Sequence, residues 1–407
     1  MSSFNFFREG RKASQLQRSE QEDFSFNGKT SKGALLYGEI PFGGKINANA
    51  INTKPTNSGR KVAWHPSGRL LAVGHDTTPR ITVYYFSGTN LVKIPNPATL
   101  PEGTINAVSW SPDGKYLAVL SGSAPNTIIY SLDLTGSAPS LALVTSNSDF
   151  AGFDLSWSPD SKHIAFTQAS FFSVTPIKVY SFDGTSLTLS ATEISPSAKT
   201  GVAICISWSP SGKYIAVGCT GDGTSTQIRL TVYIFNGAST ILKVLDVSGT
   251  KLPDGQVSSV TWSPTEQYIS VSHTGGYKST VYKYTPPTGY SGQLIEKLSP
   301  SGATPGGDGL CTAWSTDGRH YAVGLSVTPY LAVYSVEDGE LYYVLYNYAG
   351  GAPPEGAVRD ISWSPNGKFV AVVHDSHPHI TVYTPGTGTI SPGNMVEIEP
   401  PSNLPHI

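Results

Sequence analysis

Trp110-Ser111-Pro112-Asp113-Gly114-Lys115-Tyr116-Leu117-Ala118-Val119 is one of seven copies of a single pattern. The others read WHPSGRLLAV from Trp64, WSPDSKHIAF from Trp157, WSPSGKYIAV from Trp208, WSPTEQYISV from Trp262, WSTDGRHYAV from Trp314 and WSPNGKFVAV from Trp363. The chain has seven tryptophans, and each heads one copy, at intervals of 46, 47, 51, 54, 52 and 49 residues. Ser-Pro-Asp-Gly is turn chemistry: Pro presets φ and Gly accepts a positive φ. Apolar, β-branched runs flank it, as in Ala107-Val108-Ser109-Trp110 before and Tyr116-Leu117-Ala118-Val119 after, so each copy reads as two strands around a tight turn.

Two more strands complete each unit. A third ends in an apolar-Tyr pair, at Tyr84, Tyr130, Tyr180, Tyr233, Tyr282, Tyr334 and Tyr383. A fourth is less regular, with candidates at Leu91–Ile94, Leu141–Val144, Leu242–Leu245 and Leu341–Val344. Four strands per unit at a period of about 40–50 residues specify a propeller blade. The fold class is therefore all-β, a seven-bladed β-propeller over residues 60–400, preceded by an extended N-terminal arm at 1–59 and followed by a tail at 401–407. The residue before each Trp is small (Ala63, Ser109, Ser156, Ser207, Thr261, Ala313, Ser362). So is the residue eight after it (Ala72, Ala118, Ala165, Ala216, Ser270, Ala322, Ala371). Neighbours on a strand face opposite sides of the sheet, so each blade offers a bulky face and a small face that fill each other when blades stack.

Outside the repeat, ALLYGEI at 34–40 reads as a strand and 46–59 as a polar linker. The tail from Thr384-Pro385-Gly386-Thr387-Gly388 to Met395-Val396-Glu397-Ile398 parallels Thr285-Pro286-Pro287-Thr288-Gly289 to Leu294-Ile295-Glu296-Lys297. Blade seven is therefore expected to take its fourth strand from the C-terminal side, leaving ALLYGEI unused by the ring. Phe4, Phe6 and Phe7, among Arg8, Arg11, Lys12 and Arg18, suit an arm that orders against a partner.

Composition narrows the function classes. Charged residues make up 14% of the 407, against about 25% in typical soluble domains, and the net charge is −2. No basic excess favours nucleic acid. No apolar run is long enough to span a membrane, and the first residues carry no signal-peptide core. Three cysteines without a close pair form no disulfide framework, which fits a reducing compartment.

Candidate chemistry is sparse. His75-Asp76, His273 and His374-Asp375 share one position at the end of the second strand, and His374, His377 and His379 form a local cluster. Metal binding needs three or four converging ligands, so hydrogen bonding within a tight turn is the simpler reading, and no metal or cofactor is expected. Cys205 and Cys311 stand three before their Trp and read, with Cys219, as buried structural thiols. Asp154 and Asp360 share that inner register, where pairing with Arg359 or Arg60 is the simpler account than a ligand or catalytic role.

Five residues after the Trp stands a cation in six blades: Arg69, Lys115, Lys162, Lys213, Arg319 and Lys368, with Gln267 in the other. These turns share one face of the disc, a candidate ring for an acidic partner, partly offset by Asp113, Asp160 and Asp317. Longer loops on the other face carry Pro101-Glu102-Gly103, Pro253-Asp254-Gly255, Pro354-Glu355-Gly356 and the aromatics Phe171, Phe172 and Tyr277, an expected interaction surface. No phosphate loop, nucleophile elbow or zinc spacing is present, and no catalytic residue is assigned.

Over residues 60–400 the repeats resemble the WD40-like propeller superfamily, especially the W-S-P-D-G-K form also found in TolB-type propellers. Two departures stand out: apolar-Tyr replaces the Trp-Asp that closes the third strand, and the opening Gly-His is missing, so the family's His–Asp network is not carried over. The resemblance implies binding rather than catalysis, with other protein subunits or copies of the same chain as partners. Low charge, Ser/Thr/Gly/Pro richness, two methionines and a long arm are also similar to propeller subunits of tailed-bacteriophage particles. That likeness implies a virion structural protein, assembled in the host cytoplasm. A cytoplasmic adaptor is the alternative, and a hydrolase or lyase at the channel mouth a third.

Overall fold

The computed structural model describes residues 51–384 except 52, 56, 137, 149–150, 169–176, 194–201, 221–228, 238–239, 248–251, 286–293, 299, 302–304, 338–339 and 345–352, together with the backbone of 24–26, 29–31 and 44–45. The described residues form strands and turns only, and no helix among them is long and apolar enough to cross a membrane. Each repeat folds as an antiparallel sheet whose strands a to d run outward from the axis. In blade two these are Ile105–Trp110, Tyr116–Ser121, Thr127–Asp133 and Ser140–Asn147. Strand a of each blade contacts strand a of the next, and Val358–Trp363 of blade seven contacts Gly59–Trp64 of blade one, closing a seven-bladed propeller.

The turn after each Trp is built as its sequence dictates. In blade two, Ser111 N–H donates to Tyr116 O at 2.8 Å and Gly114 N–H to Ser111 O at 2.8 Å, with Gly114 at a φ of 74°. Ser111 Oγ donates to Asp113 Oδ1 at 2.6 Å and accepts from Tyr116 N–H at 3.0 Å. Asp113 also accepts from Lys115 N–H at 3.1 Å. Ser158 with Asp160, Ser315 with Asp317 and Ser364 with Asn366 repeat this arrangement. The turn thus satisfies its own polar groups, which lets the flanking strands be buried.

The small residues are direct cross-strand partners: Ser109 faces Ala118, Ser207 faces Ala216 and Ser362 faces Ala371. Into the space they leave go the tryptophans, each less than a tenth exposed. The residue six after one Trp packs on the aromatic cluster of the next blade: Tyr214 stacks on Trp262 at 6.2 Å, Tyr268 on Trp314 at 5.9 Å, and Phe369 lies 6.4 Å from Trp64. The seven tyrosines expected to end strand c are all buried, and the strand runs one to three residues beyond each of them. Tyr84 and Tyr130 donate to Thr53 O at 2.7 Å and Thr99 O at 2.8 Å.

Ring closure corrects the expectation from the C-terminal repeat. The fourth strand of blade seven is Gly44–Lys45, antiparallel to Ile380–Thr384, so it comes from the N-terminal side. The chain then crosses the outside of blade one, where Ile51 is buried beside Trp64 and bridges Leu91. Part of the stretch read as a polar linker therefore packs on the ring. An N-terminal strand joins the two ends of the chain within one blade, whereas a C-terminal one would leave the closing blade held only by its neighbours. ALLYGEI and Met395–Ile398 lie outside the described residues.

Elsewhere the outer edges gain extra pairing. Blades three and four join through parallel pairs Thr192 with Thr240 and Glu193 with Ile241. Pro300–Ser301 adds a fifth, parallel strand to blade six. Such cover limits edge-to-edge association.

Candidate functional site: the polar layer of the inner strands

Strand a is the inner edge of each blade, so every second backbone N–H points at a neighbouring blade and needs an acceptor there. Hydroxyls one before the Trp supply it: Trp64, Trp208 and Trp262 donate N–H to Ser362, Ser156 and Ser207 of the preceding blade at 3.1, 3.0 and 3.1 Å. Two residues earlier, the carboxylates act alike. Asp360 accepts from Val62 N–H at 2.9 Å, and Asp154 accepts from Ile206 N–H at 3.0 Å and from Leu155 N–H at 2.9 Å.

These carboxylates do not pair with Arg60 or Arg359, contrary to the expectation from sequence. Arg60 binds Asp76 at 2.8 and 3.0 Å, and Arg359 binds Asp375 at 2.6–3.1 Å. Both pairs lie at the loop end of the strands, because strand neighbours point to opposite sides. The charge that balances the aspartates is Lys61, which acts on both through its field and which no sequence argument singled out. Read three before each Trp, the layer runs Lys61, Ala107, Asp154, Cys205, Ser259, Cys311 and Asp360. Applying to blade one the register that revealed the aspartates and cysteines would have found it.

Lys61, Asp154 and Asp360 are half-buried on the inner strands. Burial alone would lower the Lys61 ammonium, but the fields of Asp360 and Asp154 outweigh it and hold the pKa above its ordinary value. Burial lifts the carboxyl of Asp154 to about 6 against the pull of Lys61, and raises Asp360 in the same way. One cation serves two carboxylates. Burial also pushes the thiols of Cys205 and Cys311 well up, away from the nucleophilic thiolate. The layer holds charge and ties blades together, and both aspartates use their oxygens as acceptors for backbone groups.

The histidines are local. His75, His273 and His374 each place Nε2 2.9 Å from the hydroxyl of Thr82, Thr280 and Thr381 on strand c of the same blade. Burial lowers His75 and His273 to about 4. Among the described residues no three His, Cys, Asp or Glu side chains gather as a metal would require. The three cysteines are buried free thiols.

Of the expected interaction residues, Tyr277 is exposed on the b–c loop of blade five. Arg69, Lys115, Lys162, Lys213, Arg319 and Lys368 are all exposed on the a–b turns. Phe4, Phe6, Phe7, Phe171 and Phe172 lie outside the described residues.

Comparison with known proteins agrees with the architecture. A sequence-family model described as eukaryotic translation initiation factor eIF2A matches residues 77–240, less than half of the chain. No curated protein sequence matches it. Among solved structures, hydrazine synthase of Kuenenia stuttgartiensis is similar at a TM-score of 0.60 and 14% identity, covering 82% of this chain and 97% of that one. The β-propeller domain of Cps50 (Swd1) from Myceliophteria thermophila is similar at 0.58 and 13% identity, covering 81% and 98%. At such identities the shared property is the fold: this chain is a seven-bladed, WD40-like β-propeller, of a kind found both in an enzyme and outside one.

Proposed function

We propose that the protein is a non-catalytic docking subunit of a larger protein assembly, anchored by its N-terminal arm. One observation carries this reading: the groups that could do chemistry are engaged in holding the ring together, while the exposed polar side chains lie on its turns, loops and outer strands. Asp154 and Asp360 bridge blades, the thiols are pushed up, and three buried histidines bond to threonines. WD40-like propellers serve as protein-interaction platforms, which is the coarser form of the same reading.

In its finer form the assembly is a virus particle, put together in the host cytoplasm. Support comes from composition: 14% charged residues, 42 Gly, 30 Pro and only two Met. A second reading, a cytoplasmic adaptor, draws on the family match over residues 77–240. Density-gradient sedimentation of a native lysate separates the two. Co-sedimentation with a megadalton particle, lost on deleting residues 1–43, is the expected result, and migration as a free 43 kDa chain overturns it.

A further inference from the structure

Strand d is the outer edge of each blade, and an open edge offers backbone N–H and C=O groups to any further strand. Around this ring the edge is guarded in two ways. Some outer strands already have a neighbour. Leu187–Glu193 of blade three and Thr240–Asp246 of blade four pair with each other, Glu340–Val344 of blade six pairs with Pro300–Ser301, and Leu91–Lys93 of blade one meets the bridge from Ile51. The outer strands of six blades also carry charge, at Lys93, Glu193, Lys243, Glu296, Glu340 and Lys45, which deters a second strand. Blade two has neither guard. Its outer strand, Ser140–Asn147, reads SLALVTSN with no charged residue, is the longest of the outer strands at eight residues, and is the last strand of its sheet among the described residues.

This strand is held from within and open outside. Leu141 is buried in the core between blades one and two, and Val144 packs on the core shared with blade three. Ala142, Leu143 and Ser146 are exposed. Residues directly opposite on adjacent strands share a face. Leu143 lies opposite Tyr130, and Tyr85 lies opposite both Leu70 and Val92. Tyr130 and Leu70 belong to the core between blades one and two, so Leu143 stands on the side of its blade that faces blade one, and Tyr85 and Val92 on the side that faces blade two. These three are exposed, at 44%, 37% and 44%. The open edge therefore borders apolar side chains that the ring itself leaves uncovered.

From this we infer that a second copy of the chain pairs with the outer strand of blade two, antiparallel about a two-fold axis, and joins two four-stranded blades into one eight-stranded sheet. The ring contains a precedent: blades three and four already form an eight-stranded sheet through their outer strands, there in parallel. A second copy suits this edge because it is equally uncharged, so the two-fold sets no charge beside its own copy. An axis perpendicular to the sheet keeps each face on its own side. Leu143 of the second copy then arrives on the side that carries Leu143, Tyr85 and Val92. The inference goes beyond the docking-subunit reading, since it names a self-contact that holds whatever assembly the chain enters.

Analytical ultracentrifugation of the purified full chain tests it. One strand pairing with another buries less than the about 1,200 Å² of a stable interface, so association is expected between about 1 µM and about 1 mM. The weight-average mass is expected to climb toward twice the 43.2 kDa of the chain. Amide hydrogen exchange within 140–147 is expected to slow as concentration rises, while that of 187–193 stays constant. Leu143→Lys/Ser146→Lys, at two exposed positions, is expected to weaken the dimer about tenfold or more by giving the edge the charge the other blades have. Leu189→Lys is the matched control, expected to dimerise like the parent chain. Leu189 lies opposite Tyr180 as Leu143 lies opposite Tyr130, and is 49% exposed, but on an outer strand that already has a neighbour. A chain that stays monomeric over this range, or exchange in 140–147 that is as slow in the dilute monomer, overturns the self-contact. Equal dimerisation of the two lysine variants overturns the edge, and growth past the dimer overturns the two-fold. A dimer that joins no particle in the gradient would count against the docking reading and leave this one standing, so the two failures are distinguishable.

Discussion

Replacing Lys61 by Met tests whether one cation balances the inner layer. The side chain keeps its length, so the loss is chiefly that of the charge. Removing one partner of a buried ion pair costs about 3–5 kcal/mol, because the charge left behind has no compensation. Here Lys61 is half-buried and acts on the aspartates through its field, not through a salt bridge within 4 Å, and each aspartate keeps its backbone N–H donors, so the loss falls below that range. The expected loss at pH 7.5 is about 2 kcal/mol in urea denaturation. It should shrink at pH 5, because Asp154 binds a proton at about 6 and one of the two carboxylates is then neutral. Adding Asp154→Asn to Lys61→Met should recover part of the loss at pH 7.5, giving a coupling of about 1–2 kcal/mol in a double-mutant cycle. The same loss at both pH values, or none at pH 7.5, would refute the argument that Lys61 balances the aspartates.

Three further outcomes follow from the same geometry. Asp154 has its folded pKa raised above the ordinary carboxyl value, so it adds stability as pH falls from above 6 toward 4, by at most about 3 kcal/mol and less because it is only half-buried. His75 and His273 act oppositely: lowered to about 4, they contribute stability above pH 6.5 that is lost as pH falls through 4. Stability measured against pH for Asp154→Asn and for His75→Gln, each relative to the parent chain, should therefore slope in opposite senses. Trp262→Ala, at an interface with Tyr214 and Tyr284, should cost about 3–5 kcal/mol by the cavity it leaves, read from the urea midpoint. Tyr84→Phe should cost about 1 kcal/mol for the bond to Thr53 O.

The fold was legible because its periodic features coincide. Tryptophan, the turn after it, small residues at fixed offsets and the tyrosine of strand c all repeat, and each has a packing reason that the coordinates bear out. Ring closure was not legible in the same way, because the closing strand is only Gly44–Lys45. Two residues carry no alternation to detect, whereas the longer C-terminal parallel attracted the assignment. The pairing of Asp154 and Asp360 was misjudged for a related reason. Arg359 adjoins Asp360 in sequence and Arg60 adjoins Lys61 in the same register, but alternation along a strand sends both arginines to a different set of contacts.

What singles this ring out is the places where the repeat is broken, and those can be found by listing one register around all seven blades. The position three before each Trp tolerates Ala, Ser and Cys, so its packing demand is only for something small. Lys and Asp there are not required by the blade. Two carboxylates can sit in this layer because each accepts backbone N–H groups and Lys61 lies within their field. Asp360 bridges blade seven to blade one, the junction where the two ends of the chain meet. Asp154 bridges blades three and four, whose outer strands are also paired. An N–H that every propeller must satisfy between blades is met here by a charge at two junctions. The third charge, Lys61, acts on both aspartates and so links those two contacts through its field.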